Sequence, residues 1–185
     1  MTDDWNAAEL LDGLPPDDYI AQWTAHFAQP AQTAEREMRT ALLFRIGAEW
    51  FALPAAVIDE IAGMTPIHSI PHRRRRAVIG ITNVRGELLA CVSLAVVLSV
   101  PAAPPDARGT ARLLVLRRDD VHAVCPVDET GGIIRFDAHA LIDIPGTLAH
   151  ASSRYSKHLL PWEGRSVGVL DDQLLFSTLG RSLAA

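Results

Sequence analysis

The chain has 185 residues, of which 49% are hydrophobic and 21% are charged, and its formal net charge is −5. This balance is typical of a globular protein with a hydrophobic core and excludes an intrinsically disordered chain. No apolar run approaches the roughly 20 residues of a membrane-spanning helix, and the negative charge argues against general nucleic-acid binding, which depends on neutralising phosphates.

The first predicted unit is an N-terminal extension over residues 1–38. Apolar and aromatic residues recur there at roughly helical spacing, interrupted by Pro15 and Pro16. This pattern predicts one or two short amphipathic helices. Two roles stay open for them: an extension that packs on the core or is partly flexible, or a docking helix for a partner. The acidic start of the chain, residues 1–5, lacks the basic residues of a secretory signal, so we expect a cytoplasmic protein.

Short strands are predicted from residue 40 onward. Residues 41–46 and 50–53 are apolar runs joined by a short loop that contains Gly47, which predicts a hairpin. A second pair of apolar runs, residues 112–116 and 121–125, repeats this arrangement. Both hairpins are followed by a proline and then an acidic pair, so the two regions resemble each other in order as well as in composition.

A further similarity suggests that the chain consists of two related halves. Residues 86–94 and 164–171 each start at a turn glycine, continue as an apolar strand and lead into a Leu-rich stretch. Many short strands with frequent turns indicate a sandwich or a barrel, and closure into barrels removes exposed sheet edges. We therefore predict a mainly β protein in which residues 39–182 form two small β-barrels, divided near residues 100–110.

The sequence contains no recognisable set of catalytic residues. Its two cysteines, Cys91 and Cys125, lie in apolar, strand-like runs, as is typical of buried thiols in a reducing cytosol. His122 and Cys125 would point to opposite faces of a strand, and a proline separates His68 from His72. We expect a protein that is not an enzyme and that needs neither a metal nor another cofactor.

Two basic features remain to be explained. Arg85 stands between two apolar runs, within the sequence Asn83-Val84-Arg85-Gly86, and residues 73–76 are four consecutive arginines. Such charges are not buried without partners. The arginine run has three interpretations: a patch for nucleic acid or anionic lipid, a solvated surface loop, or a basic edge beside the Arg85 corner that faces an acidic protein surface.

Several of these stretches together resemble the CheW family of chemotaxis coupling proteins. Residues 43–54 and 57–61 are similar to the opening of that family, and residues 66–71 to its proline-flanked loop. Residues 78–86 resemble its most recognisable motif, a glycine and a strand followed by Asn-Leu-Arg-Gly. The similarity extends to about residue 182.

The resemblance implies a non-enzymatic adaptor built of two five-stranded barrels that resemble SH3 folds. Its expected partners are chemoreceptors, at their cytoplasmic tip, and the CheW-like regulatory domain of a CheA-type histidine kinase. It implies neither nucleic-acid binding nor direct insertion into a membrane. Whether Glu60 orients Arg85 or each faces a partner stays open. The residues expected to bind partners are Ile58, Glu60, Arg74, Arg75, Gly80, Asn83, Arg85 and Gly86.

Some residues depart from the family pattern. Ser93 stands where the family commonly has an aspartate, residues 73–76 are more basic, and residues 1–38 exceed a minimal coupling protein. These differences suggest a specialised, non-flagellar chemosensory array. The alternative function is a nucleic-acid or anionic-lipid binding module that uses the run from Arg73 to Arg76.

Overall fold

A computed structural model of the chain describes residues 37–71, 76–101, 109–144 and 154–184. The mainly β architecture expected from the sequence is confirmed. The predicted N-terminal helices lie outside the described residues, and the first strand begins at Met38. The strands are Met38–Ile46 (β1), Glu49–Pro54 (β2), Ile58–Gly63 (β3), Ile67–His68 (β4), Val78–Val84 (β5), Glu87–Val92 (β6), Arg112–Arg118 (β7), Val121–Val127 (β8), Glu129–Asp137 (β9), Ile142–Asp143 (β10), Ser156–Trp162 (β11) and Arg165–Leu170 (β12).

The described residues also contain four helical segments. The α-helices are Leu94–Leu98 (α1) and Asp172–Leu183 (α2), and the 3₁₀ helices are Ala55–Val57 and Ala138–Ala140. None of the described helices has the length and apolar character needed to cross a membrane.

The strands form two six-stranded sheets with the same internal order. Sheet A has the order β10-β11-β12-β2-β1-β9, and sheet B has the corresponding order β4-β5-β6-β8-β7-β3. The two halves of the chain therefore repeat the same elements, as the sequence predicted, but each half gives its first hairpin to the other half's sheet. Hairpin β1–β2 completes the sheet of β9 to β12, and hairpin β7–β8 completes the sheet of β3 to β6.

This exchange corrects the predicted divide at residues 100–110. Strands β6 and β7, which precede and follow those residues, belong to the same sheet. The reason is geometric: β1 pairs antiparallel with both of its neighbours, so the strand on its far side runs parallel to β2. If β3 occupied the far side of β1, the chain would first have to travel back along the length of β2, which is about 20 Å. The connection between β2 and β3 is the three-residue helix Ala55–Val57, which spans only about 6 Å.

Each sheet curls around an apolar cluster of its own. The edge strands β3 and β4 are joined by only three residues, which reach about 14 Å, whereas the edges of a flat six-stranded sheet lie about 24 Å apart. The inward side chains of each sheet pack against one another. These are mainly Ala41, Leu43, Ala52, Ile134, Phe136, Leu160 and Val167 in sheet A, and Val84, Leu89, Cys91, Leu113, Val115 and Val124 in sheet B.

The outward faces of the two exchanged hairpins form the main core together with both α-helices. Leu42 and Phe44 of β1 and Leu114 and Leu116 of β7 are all fully buried there. Successive residues of a strand point to opposite faces, so one hairpin supplies apolar side chains to two clusters at once. This explains why these runs are apolar at nearly every position rather than at alternate ones.

Candidate functional site

The Arg85 turn, residues 83–86, is the tight turn that joins β5 to β6. Val84 and Glu87 pair across the hairpin, which leaves Arg85 and Gly86 as a two-residue loop. Both have positive φ, 49° and 91°, as a type I′ turn requires. The Gly86 N–H donates a hydrogen bond to Asn83 Oδ1 over 2.8 Å. Asn83 and Gly86 thus build the turn, and Arg85 is the residue that the turn presents.

Arg85 projects into solvent while one of its nitrogens is held by Glu60. Arg85 Nε lies 2.8 Å from Glu60 Oε1, and the two side chains are 81% and 24% exposed. Glu60 belongs to β3, at the opposite edge of sheet B from β4 and β5, so this ion pair spans the open end of the curled sheet. The outer guanidinium nitrogens have no other ion-pair or hydrogen-bond partner among the described residues. The question left open by the sequence is answered for the free protein: Glu60 orients Arg85.

The backbone geometry of the turn does not require an arginine at position 85. In the other half of the chain, the turn between β11 and β12 also has two residues with positive φ, and there the residue at the corresponding place is Glu163. A β-carbon in this conformation costs roughly 1 kcal/mol, and strained residues of this kind are often retained for function. The backbone conformation therefore does not explain the positive charge at position 85.

Sequence reasoning missed an apolar residue beside this charge. Leu88 pairs with Asn83 across the hairpin and is 67% exposed, although it lies in a run that the sequence predicts as an apolar strand. Exposed apolar area next to an arginine is typical of protein–protein contact sites. The pairing of Leu88 with the exposed Asn83 was the available signal. Arg85, Leu88, Asn83 and Glu60 together form what we call the Arg85 surface.

Two other predicted site residues serve packing. Ile58 is half-buried and packs against the main core. Gly80 is buried beneath β4, where a β-carbon would lie 2.3 Å from the carbonyl oxygen of His68. A buried glycine without free space offers nothing to a partner, so Gly80 supports the site from beneath rather than forming its surface.

The basic run falls largely outside the structure. Arg74 and Arg75 lie outside the described residues, and Arg76 is exposed. The alternative function in nucleic-acid or lipid binding therefore stays a prediction.

The two thiols have no chemical role at this site. Cys91 and Cys125 are free and buried, as predicted. Burial raises the pKa of the Cys91 thiol to about 11, and burial together with the neighbouring Cys91 raises the pKa of Cys125. Neither thiol is ionised near neutral pH, which makes both poor nucleophiles. Within the described ranges, no group of three or more His, Cys, Asp or Glu side chains is placed to hold a metal ion.

Comparison with known proteins identifies the family of the chain. Residues 40–179 match the CheW-like domain, a span that covers both sheets and most of α2. The chain belongs to the CheW-like family. Its sequence is 27% identical over 139 residues to the probable chemotaxis protein CheW of Rhizobium etli, covering 75% of this chain and 88% of that protein.

Two further CheW proteins extend the comparison. The chemotaxis protein CheW of Rhizobium meliloti is 25% identical over 146 residues, covering 79% of this chain and 92% of that protein. The crystal structure of the scaffolding protein TtCheW from Thermoanaerobacter tengcongensis superimposes with a TM-score of 0.61 at 15% identity, covering 72% and 88% of the two chains. At that identity the structural likeness supports the CheW fold.

Proposed function

We propose that this chain is a coupling protein that joins chemoreceptors to a CheA-type histidine kinase by reversible contacts, and that the Arg85 surface is one of its docking sites. Membership of the CheW-like family and similarity to two chemotaxis proteins support the coupling role. The observation that carries the choice of site is the 81% exposure of a strained arginine, of whose nitrogens only Nε has a partner among the described residues.

The chemistry of Arg85 defines what it binds. A guanidinium is a rigid planar fork of donors that matches carboxylates and backbone carbonyls. Glu60 fixes the inner edge of that fork, so the outer edge is presented in one orientation with less entropy to lose on binding. Leu88, near the start of β6, supplies exposed apolar area on the same hairpin. The partner surface we expect is a carboxylate or a row of carbonyls next to an apolar patch.

The finer assignments are part of the same proposal. The kinase partner is the CheW-like regulatory domain, the receptor partner is the cytoplasmic tip, and the protein acts in the cytoplasm of a specialised, non-flagellar array. We also infer that the curled sheets are SH3-like barrels: each has five strands of six or more residues, as the prediction requires, and one strand of two residues.

Substitution of Arg85 by asparagine separates a docking role from a structural one. Asparagine accepts positive φ more readily than arginine, and the exposed ion pair it removes is worth at most about 1 kcal/mol. We expect the free energy of unfolding to stay within about 0.5 kcal/mol of wild type or to rise. We expect the dissociation constant for the kinase regulatory domain or the receptor fragment to rise about 10-fold or more, measured by calorimetry.

The matched control is Arg135→Asn, which removes an exposed arginine from β9 in sheet A. It should leave both stability and binding close to wild type. Unchanged binding of Arg85→Asn to both partners would refute the assignment of the site, and a loss of stability above about 1 kcal/mol would mark Arg85 as structural.

A further inference from the structure

A histidine lies between two carboxylates at the open end of sheet B, close to the Arg85 surface. His122, on β8, places Nδ1 3.3 Å from Glu87 Oε1 and Nε2 3.7 Å from Asp59 Oδ2. Glu87 is the first residue of β6, directly after the Arg85 turn, and Asp59 is the neighbour of Glu60 on β3. The ring therefore lies between β3, which carries Glu60, and the start of β6, which follows the Arg85 turn.

Among the described residues, the other charged group in contact with the ring is Arg117 of β7. Its Nη2 is 3.4 Å from Nδ1 and 3.3 Å from Nε2 of His122, and 3.5 Å from Asp59 Oδ2. Nearly equal distances to both ring nitrogens place this nitrogen over the ring rather than in line with either. Arg117 thus lies over the imidazole, while Glu87 and Asp59 lie at ion-pair distance from Nδ1 and Nε2.

Protonation changes how the ring interacts with these two carboxylates. A neutral imidazole carries no net charge and turns a lone pair toward one of them. An imidazolium has an N–H on each side and is attracted to both carboxylates. Histidine is the side chain whose charge ordinarily changes between about pH 5 and pH 8. His122 is 20% exposed, and its carboxylate partners are more exposed still, so protons reach it from solvent.

We infer that His122 is a proton-dependent link that strengthens docking at the Arg85 surface as the pH falls, an inference that rests on the proposed function. The imidazolium holds β3 to β6 and so fixes the relative position of Glu60 and Arg85. It also changes the local charge: three carboxylates and two guanidinium groups leave one negative charge, which the imidazolium cancels. A carboxylate-bearing partner is repelled less in the protonated state.

Sheet A has no such link at the corresponding place. There Arg45 and Trp50 pair across β1 and β2 as Arg117 and His122 pair across β7 and β8. The guanidinium carbon of Arg165, from β12, lies 4.9 Å from the centre of the Trp50 ring. This cation–π contact involves no group that titrates near neutral pH. At this position of the repeat, the histidine link is thus found in sheet B, the sheet that carries the Arg85 turn, and not in sheet A.

The test compares wild type with His122→Phe, which keeps a ring for Arg117 to stack on and removes the proton. Binding to the kinase regulatory domain and to the receptor fragment is measured at about pH 6 and about pH 8. We expect the wild-type dissociation constant to rise about 3-fold or more between these values, and that of the variant to change less. The measured quantity is the difference between the two proteins, because titrating groups of the partner act equally on both.

The matched control is His158→Phe, since His158 of β11 also pairs with a carboxylate, Asp143, at 3.2 Å but lies in sheet A. It should keep the wild-type pH dependence. A dependence that is equal in wild type and in His122→Phe would overturn the inference while leaving the proposed function intact.

A second measurement needs no partner. In a pH titration followed by NMR, the amide signals of Gly86 and Glu60 should shift with the same midpoint as the His122 ring, and these shifts should vanish in His122→Phe. Amide signals that do not shift with the midpoint of the His122 ring would overturn the inferred link. If the amides follow the ring but neither partner binds at any pH, the link stands and the proposed function fails.

Discussion

Gly80, one of the residues expected to bind partners, is buried and closely packed. A β-carbon at this position would lie 2.3 Å from the carbonyl oxygen of His68 and 2.9 Å from Cγ2 of Ile67. Both neighbours belong to β4, which pairs with β5 over only two residues. The hydroxyl of buried Thr82 donates a hydrogen bond to the carbonyl of Pro66 and shares another with the hydroxyl of Thr65. The close approach of β4 to β5 thus depends on the missing side chain.

Gly80→Ala should therefore destabilise the protein. Backbone oxygen cannot yield as a flexible side chain does, so β4 must move, and we expect a loss of about 1–3 kcal/mol in the free energy of unfolding, measured in urea. Gly63→Ala is the control, because a β-carbon there meets no atom within 4 Å. It should shift stability by less than about 0.5 kcal/mol. Equal stability of the two variants would contradict the packing role.

At the residue scale, the sequence pointed to Arg85 and Glu60 and left open whether they contact each other. The two residues lie on strands that are well separated in the sheet order, and only the curl of sheet B brings them together. The exposure of Leu88 was missed because its run is apolar at nearly every position, which hides the alternation of inward and outward side chains. The link through His122 was missed because it needs three strands to converge, which no spacing along the chain reveals.

At the element scale, the two α-helices begin in the same way. Ser93 Oγ accepts a hydrogen bond from the Val96 N–H at the start of α1, and Asp171 Oδ1 accepts one from the Leu174 N–H at the start of α2. Serine and aspartate are both favourable N-caps. Ser93, which departs from the family pattern, thus keeps the capping function and removes only a charge.

Asp171 has an additional partner and a shifted titration. Burial acts to raise its pKa, but the hydrogen bonds from the Leu174 and Gln173 backbone and the ammonium of Lys157, 3.1 Å away, outweigh it, so the pKa lies below its usual value. A lowered folded-state pKa contributes stability above the unfolded-state value near pH 4. That contribution is lost as the pH falls through the folded-state pKa.

Two substitutions at Asp171 separate the cap from the charge. Asp171→Ala removes both and should lower the free energy of unfolding by about 1–2 kcal/mol at neutral pH. Asp171→Asn keeps an acceptor for the Leu174 N–H, so it should be less destabilising at neutral pH. Because it does not titrate, its stability should fall less steeply than that of wild type below about pH 4. An equal acid slope in urea titrations would contradict the assignment of the shift to this residue.

At the scale of the whole molecule, repetition was predictable and the partition into sheets was not. Repeated hairpins and repeated glycine-led strands are visible in the sequence, and both recur as matching elements. Which sheet a hairpin joins depends on the length of the connection after it. The three-residue connection to β3 is too short for a return along β2, and this constraint appears only once the strand order is known.

The exchange predicts how the molecule behaves when it is cut. Fragments 37–104 and 105–184 each contain one hairpin whose partners lie in the other fragment: β1 and β2 pair with β9 and β12, while β7 and β8 pair with β3 and β6. The main core also draws on both fragments. Neither fragment alone can therefore bury its apolar faces as a monomer, since the short connection prevents the hairpin from folding back onto its own half.

We expect neither fragment to form a folded monomer, and an equimolar mixture to form a folded 1:1 complex, as judged by circular dichroism and light scattering. A homodimer of either fragment would also agree with the exchange, because two copies can trade hairpins as the two halves do. A single fragment that is monomeric and unfolds cooperatively on heating would contradict it. In that case each half would fold independently, and the short connections would not enforce the exchange of hairpins.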